Sequence, residues 1–354
     1  MGPEGILLGP AARAAVEAEI GLPLAGGPLA FTLCEIAAGG SRRLLPLAEA
    51  RRWAETEGLS EALRDALQRL SAARPPFAGI SLDRPRIMGV VNVTPDSFSD
   101  GGDYALSAAA IERGLELTAA GAEILDIGGE STRPGAEPVS MEEELRRTIP
   151  VVRALAAVGA VVSIDTRHAR VMREAIAAGA TIVNDVTALA GDPESLPALA
   201  RGEASVVLMH MRGEPRSMQA NPAYDDAPLE IRDYLAERVA DCLRAGIAPA
   251  RIAVDPGIGF GKNDEHNLAL LRGLGLLQEL GVAVVLGVSR KSFIGRLSRG
   301  EAPKQRLPGS LAAGLAGLDR GVQILRVHDA AETRQALAIW EALAIPSLRS
   351  VDVS

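Results

Sequence analysis

The stretch "GAEILDIGGEST" runs from Gly121 to Thr132. It opens on a glycine, continues as an apolar run around Asp126, and closes on glycines and polar residues. A glycine suits the left-handed residue that follows a helix, and a continuous apolar run suits a strand that is covered on both faces. The stretch therefore predicts a unit of helix, turn and parallel strand, with polar residues at the carboxyl end of the strand.

The same unit recurs along the chain. Gly159 leads into "AVVSIDT", Gly179 into "ATIVNDV", Gly281 into "VAVVLGVSRKS" and Gly321 into "VQILRVHD". The runs "RIMGVVNV", "ASVVLMH" and "RIAVDPG" bring the number of predicted strands to eight. Apolar periodicity and capping residues predict helices at about 104–120, 141–158, 168–178, 194–201, 228–245, 263–273, 308–319 and 329–343.

Eight strand and helix units within about 260 residues predict an α/β protein, a TIM (β/α)8 barrel that spans residues 84–345. The main rival is an open doubly wound sheet, which would have fewer units and a GxGxxG turn after its first strand. No such turn follows that strand. "GIGFGKN" at Gly257 to Asn263 looks superficially like a phosphate loop, but it fails GxxxxGK[ST] in spacing and in its last residue.

Residues 1–80 lack the repeat and are expected to form an N-terminal extension or a small extra domain of unknown role. They contain a turn-rich apolar segment and a predicted helix at about 46–57 that Gly58 ends. Ser60 is the expected N-cap of a second helix, whose buried face carries three leucines. These leucines are Leu63, Leu67 and Leu70. The segment "ARPPF" at residues 73–77 is expected to be a linker.

Composition narrows the class of partner. The chain has 354 residues, 47% of them hydrophobic, with 37 basic and 45 acidic residues and a net charge of −8. The basic residues form no stripe that nucleic acid or an anionic membrane would need, so we expect small-molecule substrates. Cys34 and Cys242 are far apart and lack metal-ligand spacing, which favours buried thiols in a reducing cytoplasm. The sequence shows no signal peptide and no span for a membrane.

Polar residues follow the predicted strands. In a parallel barrel the carboxyl ends of the strands meet on one face, where active sites lie, so these side chains are expected to share a polar cavity. For Asp126, Asp185 and His210, a structural role as a helix cap is an equally good interpretation. In chain order the strand ends carry Asn92, Asp126, Asp165, Asn184 with Asp185, His210, Asp255, Ser289 to Ser292, and Arg326 with His328.

Eight strings carry a family resemblance. In order from residue 86 to residue 330, they resemble the dihydropteroate synthase family of pterin-binding enzymes. The strings are "MGVVNVTPDSFSDGG", "DIGGESTRPGA", "SIDT", "IVNDV", "LMHM", "VDPGIGFGK", "GVSRKSFIG" and "RVHD". The resemblance implies condensation of a dihydropterin pyrophosphate with p-aminobenzoate, which gives dihydropteroate and pyrophosphate.

Two other functions stay open at this stage. A pterin-binding methyltransferase would share the barrel and the pterin-binding acids, but "SRKS" and "RVHD" are not expected in it. A pterin-binding or assembly protein without activity would have a broken site, whereas here every position that the resemblance implies to be essential carries the expected residue type. The one departure is Ile258, where the family often has an aromatic residue. The family is usually dimeric through helices far from the active face, so the resemblance also implies a homodimer.

The resemblance assigns roles to residues. The pterin ring is implied to bind Asp165, Asn184, Asp255 and Lys291, with Met209, Phe260 and Gly287 around it. The pyrophosphate is implied to bind Arg326 and His328 beside a Mg²⁺ ion that Asn92 holds, since magnesium takes few protein ligands. The p-aminobenzoate site is implied to comprise Thr132, Arg133, Pro134, Phe98 and Ser292.

The catalytic residues implied are Asp165, Lys291, Arg326 and His328. As the C–O bond of the substrate breaks, the pterin methylene becomes electron-poor, and a fixed carboxylate at Asp165 lowers the barrier. Because the aniline nitrogen attacks as a neutral nucleophile, no strong general base is needed, and His210 and His266 are expected to be structural. The glycine pairs of the first two loops, 101–102 and 128–129, are expected to let these loops close on the bound pterin, so that the pterin pyrophosphate binds first.

Overall fold

The N-terminal part of the chain forms a small sheet with three helices. The computed structural model describes residues 1–38, 41–94, 103–130, 139–213, 218–219 and 221–345. Strand β3 is central and antiparallel to its neighbours, with β1 along one edge and with β2 and β4 sharing the other. The elements are β1 (Gly2–Leu8), α1 (Gly9–Glu17), β2 (Leu22–Pro23), β3 (Leu29–Ala38), β4 (Ser41–Pro46), α2 (Leu47–Thr56) and α3 (Ser60–Ser71).

The two helices predicted here are present, and the leucine face of α3 is buried as expected. The expected capping role of Ser60 is wrong. The amide of Leu63 donates to the carbonyl of Leu59, so the helix already begins its hydrogen bonding one residue before Ser60. Ser60 is thus the first helical residue, and no side chain caps this end.

The predicted linker is an anchored segment. Arg74 is buried and donates to the carbonyls of Arg69, Ala72 and Gln278. Phe77 is 1% exposed. It packs with barrel residues such as Met88, in a cluster to which each of the eight barrel strands contributes one or two residues. The segment therefore covers the amino-terminal end of the barrel and is anchored there, although its composition is that of a linker.

The rest of the chain is a closed parallel barrel. Each strand pairs with the next along the chain, and the last strand pairs with the first through the register Ile324↔Arg86 to Val327↔Gly89. The strands are β5 (Arg86–Asn92), β6 (Ile124–Gly128), β7 (Val161–Asp165), β8 (Ile182–Asp185), β9 (Ser205–Met209), β10 (Ile252–Asp255), β11 (Ala283–Leu286) and β12 (Ile324–Val327). The predicted TIM barrel is confirmed, and closure excludes the open doubly wound sheet.

The helices cover the outside of the barrel. All eight predicted helices are present. The helices are α4 (Asp103–Ala119), α5 (Met141–Ala157), α6 (Ala169–Ala177), α7 (Ser195–Ala200), α8 (Ala227–Arg244), α9 (Asp264–Arg272), α10 (Ser292–Leu297), α11 (Leu307–Leu318) and α12 (Ala330–Ala344). The short α10 and a 3₁₀ segment at Leu274–Leu280 were not predicted. Across the described ranges, no helix combines the length and the apolarity that a bilayer crossing requires.

The glycines of the repeat act as predicted. Gly121, Gly159, Gly179, Gly281 and Gly321 all have positive φ, between 73° and 114°, where a side chain would be strained. Each ends a helical segment and turns the chain into the next strand. The polar residues after the strands therefore arrive at one face of the barrel.

Candidate active site

An open cavity of about 330 Å³ lies at the carboxyl ends of the barrel strands. Every residue predicted from the resemblance to contact the pterin lines it, together with Arg326. The lining residues are Asp165, Asn184, Val186, Met209, Asp255, Gly257, Ile258, Phe260, Gly287, Lys291 and Arg326. Strand order explains this convergence, because β7 to β12 deliver these residues at the same end of a closed barrel.

Arg326 organises the acidic side of the cavity. Its Nε donates to Asp126 Oδ2 at 2.6 Å and its Nη2 donates to Asp165 Oδ2 at 2.7 Å. The Nδ2 of Asn184 donates to the same Asp126 oxygen at 3.0 Å. Asp126, buried in the middle of β6, thus fixes both the guanidinium and the Asn184 amide, whose oxygen is left to accept a hydrogen bond from a ligand.

Burial dominates the electrostatics of these groups. Desolvation raises the pKa of Asp165 to about 7, because burial and the charge of Asp126 outweigh the attraction of Arg326. Burial opposes the charge of Arg326, but the carboxylates of Asp126 and Asp165 prevail and raise its pKa above the ordinary value. Asp255 also has its pKa raised by burial, against the hydrogen bond from Gly257. Perturbed carboxyl groups in a cavity are typical of functional sites.

The opposite wall combines a carboxylate, a cation and a ring. Asp255 ends β10, and its Oδ1 accepts from the amide of Gly257 at 2.7 Å. The Nζ of Lys291 lies 4.0 Å from the centre of the Phe260 ring, a distance at which a cation is attracted to the aromatic face. At Gly287 an added Cβ would lie 3.6 Å from Asp255 Oδ2, so the missing side chain leaves room beside that carboxylate.

The residues predicted to bind pyrophosphate belong to adjacent strands. Asn92 is the half-buried last residue of β5, which pairs with β12. His328 follows β12, and its Nδ1 and Ser289 Oγ lie 3.0 Å apart. The carbonyl of His328 accepts from Arg113 of α4 at 2.8 Å. These contacts fix the backbone and the ring of His328 beside the cavity.

The predicted p-aminobenzoate site is described only at one residue. Ser292 is the exposed first residue of α10, directly after Lys291. The predicted partners Phe98, Thr132, Arg133 and Pro134 lie outside the described residues, as do the glycines at 101–102. Gly128 and Gly129 are described. An added Cβ on Gly129 would lie 2.7 Å from Thr148 Cγ2, so α5 packs closely on this backbone.

Sequence reasoning left the roles of several residues open or missed them. Asp185 is structural, since its carboxylate accepts from the amides of Thr187 and Leu189. His266 is structural as expected, in a capping box with Asn263 at the start of α9. Asp126 belongs to the site through its bond to Arg326; it was expected at a strand end but lies in the middle of β6. Nothing in the sequence indicated the fully buried Lys262, which contacts His210.

A closed parallel barrel with polar, partly buried side chains around a cavity at its carboxyl-terminal face has the arrangement of a TIM-barrel enzyme, whose active sites lie at this end. The sequence model of the family described as "Pterin binding enzyme" matches residues 88–328, which is more than half of the chain. The protein is therefore a pterin-binding enzyme. The matched region begins after α3, so the N-terminal sheet precedes it.

Relatives define the family within that class. A dihydropteroate synthase of Neisseria meningitidis serogroup B is 50% identical over 272 residues, which cover 75% of this chain and 95% of that protein. The structure of Xanthomonas albilineans dihydropteroate synthase with 4-aminobenzoic acid is 51% identical, has a TM-score of 0.71, and matches over 75% of this chain and 96% of that one. A structure of the Xanthomonas enzyme with 7,8-dihydropteroate is 48% identical, with a TM-score of 0.68 over 74% of this chain and 95% of that one. The chain belongs to the dihydropteroate synthase family.

Proposed function

We propose that the protein condenses 6-hydroxymethyl-7,8-dihydropterin pyrophosphate with p-aminobenzoate, which yields 7,8-dihydropteroate and pyrophosphate for folate biosynthesis. In this alkyl transfer the C–O bond to the pyrophosphate breaks and a C–N bond forms. The observation that carries the proposal is the convergence of Asp165, Asn184, Asp255, Lys291 and Arg326 on one cavity. The bound ligands of the Xanthomonas structures, 4-aminobenzoic acid and 7,8-dihydropteroate, are a substrate and the product of this reaction.

The donor and acceptor pattern of the cavity suits the pterin. A pterin presents an amino-pyrimidine edge with N–H donors beside acceptors. Asp255 supplies a carboxylate oxygen, Asn184 supplies its oriented amide oxygen, and Lys291 supplies a donor. Met209 and Phe260 contribute apolar surface against the faces of the ring. Buried hydrogen-bonding groups of this kind select strongly for a matching ligand, because an unmatched ligand leaves them unpaired.

We assign the leaving pyrophosphate to Arg326 and His328, with Asn92 at the neighbouring strand end. The Arg326 guanidinium is held between Asp126 and Asp165. A pyrophosphate is a stronger anionic partner for Arg326 than the Asp165 carboxylate is. A planar guanidinium also binds phosphate oxygens in pairs. We infer that Arg326 moves its Nη2 from Asp165 to the pyrophosphate and keeps its Nε on Asp126.

The residues present fit a magnesium ion whose coordination shell is completed by substrate oxygens and water. Asn92 offers one amide oxygen, and within the described ranges no group of three or more His, Cys, Asp or Glu residues could hold a metal by itself. Mg²⁺ usually keeps several waters and takes one or two protein oxygens beside substrate phosphates. We assign Asn92 as its protein ligand, and the bound ion would neutralise charge on the departing pyrophosphate.

Asp165 is assigned the electrostatic role in the chemical step. Once Arg326 turns to the pyrophosphate, the Asp165 carboxylate is left facing the methylene, which gains positive charge as the C–O bond breaks. At ~4 Å and an effective dielectric of ~20, such a charge pair is worth up to ~4 kcal/mol. The neutral aniline nitrogen then attacks the methylene, and the nitrogen loses one proton to solvent as the C–N bond forms. Burial raises the pKa of Asp165 to about 7, and the carboxyl must be ionised for this role.

For p-aminobenzoate we keep the predicted site of Phe98, Thr132, Arg133, Pro134 and Ser292. Ser292 is exposed and adjacent to Lys291, which supports a place beside the pterin. We also keep the ordered mechanism, in which the pterin pyrophosphate binds first. Tight binding of p-aminobenzoate to the free enzyme, without pyrophosphate, would contradict this order.

We propose in addition that residues 84–345 form the catalytic barrel of a homodimer and that residues 1–80 are an appendage to it. The outward face of α12 supports dimerisation, since Ile339 and Leu343 are 64% and 63% exposed. The free, buried thiols Cys34 and Cys242 are consistent with a reducing cytoplasm. Sedimentation of the purified chain tests the dimer, and a concentration-independent monomer would overturn it.

The function is tested by pyrophosphate release from the purified protein with dihydropterin pyrophosphate and Mg²⁺. We expect release to depend on p-aminobenzoate and to be accompanied by an equal amount of dihydropteroate. Binding of the pterin without turnover would instead indicate a pterin-binding protein of another activity. Chelation of the metal should reduce turnover while leaving the folded protein intact.

A further inference from the structure

Lys262 has a buried amino group with a complete set of hydrogen-bonding partners. Its side chain is 0% exposed, and its Nζ lies 2.9 Å from the carbonyl oxygen of Phe260, 3.3 Å from that of His210 and 2.9 Å from His210 Nδ1. Three acceptors match the three N–H donors of an ammonium group, and a neutral amine would satisfy the same atoms with Nδ1 protonated. Burial lowers the pKa of Lys262 well below its ordinary value.

The residue type is unusual for this chain. Among the 37 basic residues only Lys262, Lys291 and Lys304 are lysines, and the others are arginines. Lys291 lines the cavity, and Lys262 lies directly behind it. A compact ammonium can fill a small buried space and donate to acceptors on three sides, whereas a planar guanidinium cannot.

The contacts of Lys262 tie two loops together. His210 follows β9, and Phe260 lies in the turn after β10, so the Nζ atom crosslinks neighbouring strand ends. The turn after β10 packs directly on the chain after β9. Its glycines Gly257 and Gly261 have positive φ, and a Cβ added to either would clash with a backbone oxygen of that chain segment. Gln219 of that same loop donates to the carbonyl of Gly259 at 2.6 Å.

The crosslink reaches the cavity through the Phe260 ring. The carbonyl of Phe260 is held by Lys262, while its ring lines the cavity and faces the Nζ of Lys291. Without Lys262, three buried acceptors would lose their donor, and the backbone of the turn would shift to reach water or another donor. Such a shift would displace the ring against which both Lys291 and the pterin are placed.

We propose that Lys262 is a positioning residue for the pterin site, which fixes the Phe260 ring and, through it, the Lys291 ammonium. The proposal rests on the proposed function and goes beyond it, because Lys262 does not touch the cavity. It predicts an effect on pterin binding rather than on the chemical step. The KM for p-aminobenzoate should stay unchanged within error.

The test compares Lys262→Met with the exposed control Lys304→Met, after the wild-type reaction has been established. We expect Lys262→Met to raise the KM for the dihydropterin pyrophosphate about tenfold, the size of effect expected for one buried group left without its partner, and to change kcat by less than about threefold. Lys304→Met should match the wild type. In a Phe260→Leu background, Lys262→Met should add little, because the ring through which it acts is gone.

A second pair of variants covers the case in which Lys262→Met does not fold. His210→Asn offers an amide oxygen in place of Nδ1 and should keep the pterin KM within about twofold, whereas His210→Leu removes an acceptor and should raise it about fivefold or more. An unchanged pterin KM in Lys262→Met, or an equal loss in the Phe260→Leu background, would overturn the proposal. Failure of the wild type to release pyrophosphate would overturn the proposed function instead.

Discussion

The guanidinium of Arg326 donates through Nε to the buried carboxylate of Asp126 at 2.6 Å. This bond joins β12 to β6, which are separated in the barrel by one strand. The strand between them, β5, ends on Asn92. The bond therefore fixes Arg326 in the region where the pyrophosphate is proposed to bind. In the proposed mechanism, Asp126 is the anchor that stays in place when Arg326 exchanges Asp165 for the pyrophosphate.

The variant Asp126→Asn should weaken catalysis without unfolding the chain. Removing the carboxylate charge leaves Arg326 with one anionic partner and loosens the Asn184 amide. We expect kcat/KM for the dihydropterin pyrophosphate to fall about 10- to 100-fold, as is typical when one preorganising polar group is lost. Steady-state kinetics measure this, with Asp233→Asn as the control, since Asp233 is 66% exposed. Equal activity of Asp126→Asn and the control would remove the anchoring role.

The variant Gly287→Ala should reduce pterin affinity. Its Cβ would enter the space beside Asp255 Oδ2 and the Arg326 side chain, at 3.6 Å and 3.9 Å. These distances are ordinary contacts, so the fold should be kept while the cavity becomes smaller. We expect the KM for the pterin substrate to rise about tenfold, within the range of one methyl-sized change in a binding pocket. Gly202→Ala is the matched control, because an added Cβ there meets nothing within 4 Å. A Gly287→Ala enzyme with the pterin KM of the control would mean that this space does not hold substrate.

Glu144 of α5 should make stability depend on pH. Its side chain is 1% exposed, and burial, with a contribution from the charge of Glu130, raises its pKa from 4.5 to about 7. The folded state therefore holds this proton more tightly than the unfolded state does. Stability falls as pH rises from about 4.5 to about 7, and the full cost, at most about 3 kcal/mol, is present above that range.

Glu144→Gln removes this titration. Its free energy of unfolding should exceed that of the wild type by more at about pH 8 than at about pH 5, by an amount on the order of 1–3 kcal/mol. Urea denaturation at both values measures the difference, with the exposed Glu142→Gln on the same helix as control. A gain in stability that is identical at both pH values would show that Glu144 does not titrate in this window.

The barrel was predictable because its signals are local. Each repeat glycine stands where the backbone is left-handed, and each strand is a short apolar run. The pattern seen in residues 121–132 therefore recurs in the other repeats and predicts the barrel. The short α10 and the 3₁₀ segment at Leu274–Leu280 carry too few residues for a periodic pattern. The N-terminal sheet was missed because its turn-rich segment around β2 and β3 has no clear alternation.

The site was predictable where position along a strand decides it. Asp165, Asn184, Asp255 and Arg326 stand at the ends of barrel strands, and closure brings them together. Lys262 and the Arg326 ion pairs depend on which side chains are buried and which loops meet, and these are tertiary properties without a sequence period. The same reason explains why Arg74 looked like part of a linker although it is hydrogen bonded inside the fold.

We propose that the Asp165 carboxylate stabilises the positive charge that develops on the pterin methylene. The most direct measurement is single-turnover pyrophosphate release by Asp165→Asn, beside direct binding of the dihydropterin pyrophosphate. We predict that release falls about 10²-fold or more, as is typical when one preorganised charge-stabilising group is removed, while binding weakens far less. Release at the wild-type rate from a saturated Asp165→Asn enzyme would contradict the electrostatic role of Asp165.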